Sequence, residues 1–103
     1  MATKVQNTEL KVGPIVYDIS LVSDLRSDDG ESLLGKVKYE ACEIHLEAGN
    51  SPQMDRQTLW HELVHITMEQ LGRDHSDESF VDSLAYSLMQ VVQDNPWLAE
   101  MTR

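Results

Sequence analysis

Ser51-Pro52-Gln53-Met54-Asp55-Arg56-Gln57-Thr58-Leu59-Trp60-His61-Glu62-Leu63-Val64-His65-Ile66-Thr67-Met68-Glu69-Gln70-Leu71-Gly72 is the stretch on which the fold turns. Ser51 is a good N-cap, and Pro52 at the first helical position loses no hydrogen bond that a helix needs there. Leu59, Trp60, Leu63, Val64, Thr67, Met68 and Leu71 then recur at helical spacing, and Gly72 is the natural stop. The spacing predicts one helix from Pro52 to Leu71. His61-Glu62-Leu63-Val64-His65 lies in its middle, an HExxH pattern. Residues four apart share a helix face, so both imidazoles can reach a single ion, while Glu62 is turned aside and can reach a water beside it. The chain's own composition gives this pattern by accident with a chance of only about 1%.

Downstream, Arg73-Asp74-His75 is a short link. Ser76 can cap a second helix, with Asp77 and Glu78 favourably placed in its first turn. The expected buried stripe is Val81, Leu84, Ala85, Leu88, Val91 and Val92, and Asn95-Pro96 ends the helix. Trp97 to Arg103 reads as a tail that could fold over a metal. Trp60 and Phe80 read as packing residues.

Upstream, the chain reads as strands. Lys11-Val12 leads through the turn signal Gly13-Pro14 into Ile15–Val22, where Tyr17, Ile19 and Leu21 alternate with polar residues. Ser23 to Ser32 is an acidic, solvated loop. Leu34–Tyr39 and Cys42–Glu47 form a hairpin with one apolar face. His45 falls on its polar side, and Cys42 reads as a buried thiol. The fold class expected is therefore α+β: a small, mainly antiparallel sheet of three or four strands followed by two packed helices, as one domain over residues 1–103.

A catalytic zinc site needs a third protein ligand and leaves a position for water. The candidates are Asp74, His75, Asp77, Glu78 and Asp82. If the helices pack antiparallel, Glu78 and Asp82 face His65 and His61 level by level, because both pairs are four apart. Glu78 then joins His61 and His65 at the ion, and Asp82 hydrogen-bonds the outer ring nitrogen of His61. His75 and Asp82 remain alternative ligands. One Zn2+ per chain is the cofactor expected, with Glu62 as general base. Tyr39 and Tyr86 are both candidate donors to an oxyanion.

Composition narrows the partners. Acidic residues outnumber basic ones 18 to 8, giving a net charge of −10, which repels phosphate backbones and argues against nucleic acid. A single cysteine excludes a disulfide framework and a Cys-based zinc finger. No apolar run approaches the roughly 18 residues of a membrane span, and Met1-Ala2-Thr3-Lys4 lacks the apolar core of a signal peptide. The expected compartment is cytoplasmic.

HELVH followed by Glu78-x-x-x-Asp82 resembles the gluzincin metallopeptidases. Ile44-His45-Leu46, Arg56 to Glu62 and Leu84 to Met89 are similar to segments of the ImmA/IrrE-type metallopeptidases, which usually carry a longer insert before the glutamate and an Asn near the position of Asp82. The resemblance covers residues 44–89. It implies a zinc peptidase acting on a polypeptide, with Glu78 as third ligand and Asp82 behind a histidine. It also implies that Cys42–Glu47 or its hairpin partner pairs with extended substrate. Two alternatives stand beside it. One is a zinc-binding regulatory or interaction module with a latent or blocked site, acting through a protein partner. The other is a YbeY-like ribonuclease, which Leu71-Gly72-Arg73-Asp74-His75 resembles, although the last histidine there lies four residues too far on. The metzincin pattern fails, because Met68 and Leu71 stand where Gly and His are required.

Overall fold

The computed structural model describes residues 8–102. The reading of Met1 to Lys4 as no signal peptide, and Arg103 of the tail, lie outside them. The elements are β1 (Glu9–Val12), β2 (Ile15–Val22), β3 (Gly35–Lys38), β4 (Glu43–Glu47), α1 (Pro52–Gln70), α2 (Glu78–Asp94) and a closing 3-10 helix, Pro96–Thr102. The fold is α+β, a four-stranded mixed sheet followed by two packed helices.

The strand order is β1-β2-β4-β3. Two pairings are antiparallel: β1 with β2 around Gly13-Pro14, and β3 with β4, where Gly35 faces Leu46 and Val37 faces Ile44. The third, β2 with β4, is parallel, with Ile19 beside Ile44. This places β4 inside the sheet and leaves β3 as an edge strand. Of the two candidates for pairing with an extended chain, only β3 keeps a free edge among the described residues. Leu21 is in phase with Tyr17 and Ile19 but is exposed.

Tyr17, Ile44 and Leu46 form the core of the sheet, closed by Ile66 of α1. A second cluster joins Val64 of α1 to Val81 and Ala85 of α2, flanked by Trp60, Met68 and Leu84. Helix α1 is thus buried on two sides, with the sheet beneath and α2 above, and α2 packs on α1 without touching the sheet. This corrects the single stripe expected for α1: Ile66 is fully buried, whereas Thr67 and Leu71 are exposed. The stripe expected for α2 is also corrected. Val81, Ala85 and Met89 are buried, while Leu88, Val91, Val92 and Phe80 are exposed, since α2 is covered by α1 on one side and by only the short 3-10 helix at its far end. Cys42 is half-buried with φ 55° at the turn into β4, not a fully buried thiol.

The helix ends follow local chemistry. The Ser51 hydroxyl accepts from the Met54 N–H at 3.1 Å. Gly72, at φ 70°, lets its own N–H reach Glu69 O at 3.1 Å and the Arg73 N–H reach Met68 O at 2.9 Å, which closes α1 and reverses the chain. The cap of α2 is Asp77, one residue later than expected, and its carboxylate accepts from the Phe80 N–H at 3.1 Å. Among the described residues no helix is long and apolar enough to cross a membrane.

The two-sided burial of α1 makes a stability prediction. Ile66→Ala should cost about 2–5 kcal/mol, whereas Leu71→Ala should stay within about 0.5 kcal/mol of wild type. Urea denaturation checks both, and equal losses would contradict the packing described.

Candidate metal centre

On a helix of about 3.6 residues per turn, His61 and His65 fall in the sector between the side of α1 that faces the sheet and the side that faces α2. Both are therefore only partly exposed and look into the notch where β3, α1 and the start of α2 meet. Gly72 turns the chain back so that Glu78, in the first turn of α2, arrives opposite them. Its Oε1 lies 3.0 Å from His61 Nε2 and 3.2 Å from His65 Nε2. One turn further on, Asp82 Oδ1 lies 3.3 Å from His61 Nδ1. The structure thus brings together His61, His65, Glu78 and Asp82 in the register argued from their spacing.

The donor set fits a cation. One ligand atom from each of His61, His65 and Glu78 lies within 4.8 Å of the others, so the group could hold a metal ion. Donors about 2.0–2.2 Å from a tetrahedral zinc stand about 3.3 Å apart, close to the two Glu78 separations. Hydrogen-bond counting points the same way. A neutral His61 has one N–H but faces two carboxylates, Asp82 at Nδ1 and Glu78 at Nε2. One side can take that hydrogen, and the other is met by a second ring proton or by a bound cation. Burial pulls the His65 imidazole down from its usual range, against the neighbouring Glu78, so retention of a proton there is disfavoured.

Glu62 stands apart from the three donors. It is buried at 7% exposure against β3. A Cβ added to Gly35 would lie 2.6 Å from Thr58 Cγ2 and 2.8 Å from Glu62 Oε2, so β3 approaches α1 here only because residue 35 has no side chain. Burial pushes the Glu62 carboxyl up to about 7; His61 pulls it back and Glu78 adds to the rise.

Two clefts open on either side of Glu62, His65 and Glu78. One, of about 560 Å³, also takes in Val37, Tyr39, Glu69 and His75. The other, of about 700 Å³, runs past Leu33, Leu34 and Met54 to His61 and Asp82. Tyr39 therefore lies at the site. Burial and the nearby Glu69 and Glu62 hold its phenol protonated, with a pKa of about 12. Tyr86 does not; it lies with Arg56 and Gln90 at a separate cavity.

Sequence reasoning missed two features and gave a third, His75, only as an alternative ligand. The loop after β2 is not simply solvated: Leu25 is buried, its N–H donates to Glu47 Oε1 at 2.6 Å, and the loop's end walls the larger cleft. Gly35 carried no signal, since only the fold brings β3 beneath Glu62. His75 is not among the three converging donors but stands behind His65, with its Nδ1 2.8 Å from His65 Nδ1 and its Nε2 2.8 Å from Glu69 Oε1. The spacing of His65 and Glu69, four apart, was the one hint available. His45 lies apart from the site, with its Nε2 3.0 Å from Glu43 Oε1. The expected tail is the 3-10 helix, which packs only on the far end of α2 and does not cover the centre. Comparison with known protein families, characterised proteins and solved structures finds no match for this chain.

The close approach at Gly35 predicts that Gly35→Ala destabilises the protein by about 1–3 kcal/mol through overpacking. Adding Thr58→Ser, which removes Cγ2 but keeps the hydroxyl bonded to Met54 O, should recover part of that loss. A double-mutant cycle in urea reads the coupling; strict additivity would show that β3 and α1 are not in contact at this point.

Proposed function

We propose that this protein is a zinc-dependent peptidase in which His61, His65 and Glu78 hold one zinc ion and Glu62 is the general base. The observation that carries the reading is the convergence of two Nε2 atoms on Glu78 Oε1 beside a separate, buried carboxylate, with clefts open on both sides. Two imidazoles and one carboxylate are a zinc donor set that leaves a position for water. The resemblance of HELVH and Glu78-x-x-x-Asp82 to the gluzincin metallopeptidases supports the same reading.

Zinc bound at such a site polarises a carbonyl and brings water into the range where a carboxylate can deprotonate it. Glu62 takes the proton from the attacking water and gives it to the leaving amine. Its burial against Gly35 fixes the carboxylate in place. Tyr39, kept protonated, supplies an O–H donor to charge developing on the substrate oxygen. The free edge of β3 offers backbone groups to an extended polypeptide lying along the clefts. Glu62, Glu69, Glu78 and Asp82 line those clefts and do not suit a phosphate backbone, which sets the ribonuclease reading aside.

A second reading, a metal-holding interaction module, draws support from the apolar residues α2 leaves exposed, Phe80, Leu88 and Val91. Zinc binding by the wild type without hydrolysis of any unstructured polypeptide favours that reading.

Two predictions follow from the roles assigned. Glu78→Ala should abolish tight zinc binding, while Asp82→Ala should weaken it about 10- to 100-fold, measured by competition with a chromogenic chelator. The reverse order would exchange the two roles. Glu62→Gln should keep zinc and fold but lose hydrolysis by ~10²–10⁴-fold, measured on a denatured protein substrate. A wild type that is active and a Glu62→Gln variant within a few-fold of it would remove Glu62 from the mechanism.

A further inference from the structure

The second histidine of the centre has a support of its own. His65 Nδ1 and His75 Nδ1 are 2.8 Å apart, and His75 Nε2 is 2.8 Å from Glu69 Oε1. The two rings meet edge to face, with centroids 5.0 Å apart and planes at 63°. Glu69 comes from α1, one turn beyond His65, and His75 from the link between the helices. Together with Glu78 they form a row: Glu69, His75, His65, Glu78.

The row contains three close contacts, and two neutral imidazoles supply two hydrogens. A carboxylate only accepts. If Glu69 receives the hydrogen of His75 Nε2, then His75 Nδ1 is an acceptor and takes the hydrogen of His65 Nδ1. That leaves the lone pair of His65 on Nε2, the atom beside Glu78. The opposite arrangement would set a lone pair of His75 against Glu69. The Glu69 contact, at 2.8 Å, is shorter than the Glu78 contact, at 3.2 Å, and the tighter contact keeps its hydrogen. The same count applied to Asp82, His61 and Glu78 leaves one hydrogen too few there as well.

We propose that His75, backed by Glu69, is the positioning residue that fixes the tautomer and orientation of His65, so that its Nε2 lone pair is presented to a divalent metal ion. This rests on the metal reading above. His75 is then no ligand; it does for His65 what Asp82 does for His61, through a neutral ring in place of a carboxylate.

The test uses the full chain and four forms: wild type, His75→Ala, His75→Asn and Glu69→Ala. Asn places an amide oxygen where His75 Nδ1 stands and accepts the same hydrogen. Zinc affinity by chelator competition should fall about 10- to 100-fold in His75→Ala, less in Glu69→Ala, and recover most of the way in His75→Asn. Cobalt(II) spectra should show the same order. Long-range ¹H–¹⁵N spectra of the metal-free protein at pH 8 should find His65 protonated on Nδ1 in wild type and in His75→Asn. In His75→Ala that tautomer should be lost, with thermal unfolding showing that the variant remains folded. A His75→Ala variant that binds zinc within about two-fold of wild type and keeps the wild-type tautomer overturns the proposal. So does an affinity loss that Asn fails to recover. If wild type binds no zinc, the metal reading fails by itself, and the tautomer spectra still decide the role of His75.

Discussion

A single carboxylate oxygen, Oε1 of Glu78, stands between the two histidines of α1 and ties the first turn of α2 to the middle of α1. Helix α2 packs on α1 through Val81 and Ala85 against Val64, flanked by Trp60, Met68 and Leu84, and carries the 3-10 helix at its far end. Apolar contacts of this kind tolerate some slide along the helix axis. The Glu78 contact does not, because one turn of slip would carry it about 5.4 Å from its partners. Polar convergence of this kind selects a register that apolar contact alone leaves loosely defined.

The same geometry gathers like charges. Glu62, Glu69, Glu78 and Asp82 lie around one notch of a chain whose net charge is −10. Carboxylates held close together oppose one another's ionisation; burial first, and then Glu78, raise the Glu62 pKa to about 7 against the pull of His61. A cation bound between the helices relieves this repulsion in the folded chain and has no comparable site in the unfolded one, so its binding adds to stability by linkage. For a small domain whose second helix leaves much of its apolar surface exposed, that contribution weighs more than it would in a larger core.

Much of this was legible in the residues. The caps of α1, the alternation in β2 and the hairpin of β3 and β4 are local signals, set by neighbours a few residues apart, and they appear where their chemistry places them. The register of the two helices was legible too, because His61 with His65 and Glu78 with Asp82 repeat the same interval. What was not legible is non-local. Parallel pairing of β2 with β4 has no signature in either strand, yet it decides which strand keeps a free edge. Ile66 was missed because a one-stripe pattern assumes a helix with one buried side, and α1 has two. Leu88 and Val91 were assigned to the core because hydropathy records what a side chain prefers and not whether a neighbour is present to cover it. Gly35 and His75 gain meaning only from what the fold sets against them.

Those two residues show how roles are divided among like groups. Glu62 and Glu78 are the same side chain sixteen positions apart. Gly35 makes room for the first under β3, where burial raises its pKa and keeps it out of the Nε2 convergence. The turn at Gly72 delivers the second, exposed and low in α2, directly to both imidazoles. The two histidines are likewise equivalent in sequence and distinct in support: Asp82 of α2 backs one and His75 of the link backs the other. Each imidazole is therefore oriented from outside α1. A displacement of α2 would disturb His61, and a displacement of the link would disturb His65, so the centre is complete only when the whole turn from Gly72 to Asp82 is in place. The site and the helical hairpin are for that reason one structural unit.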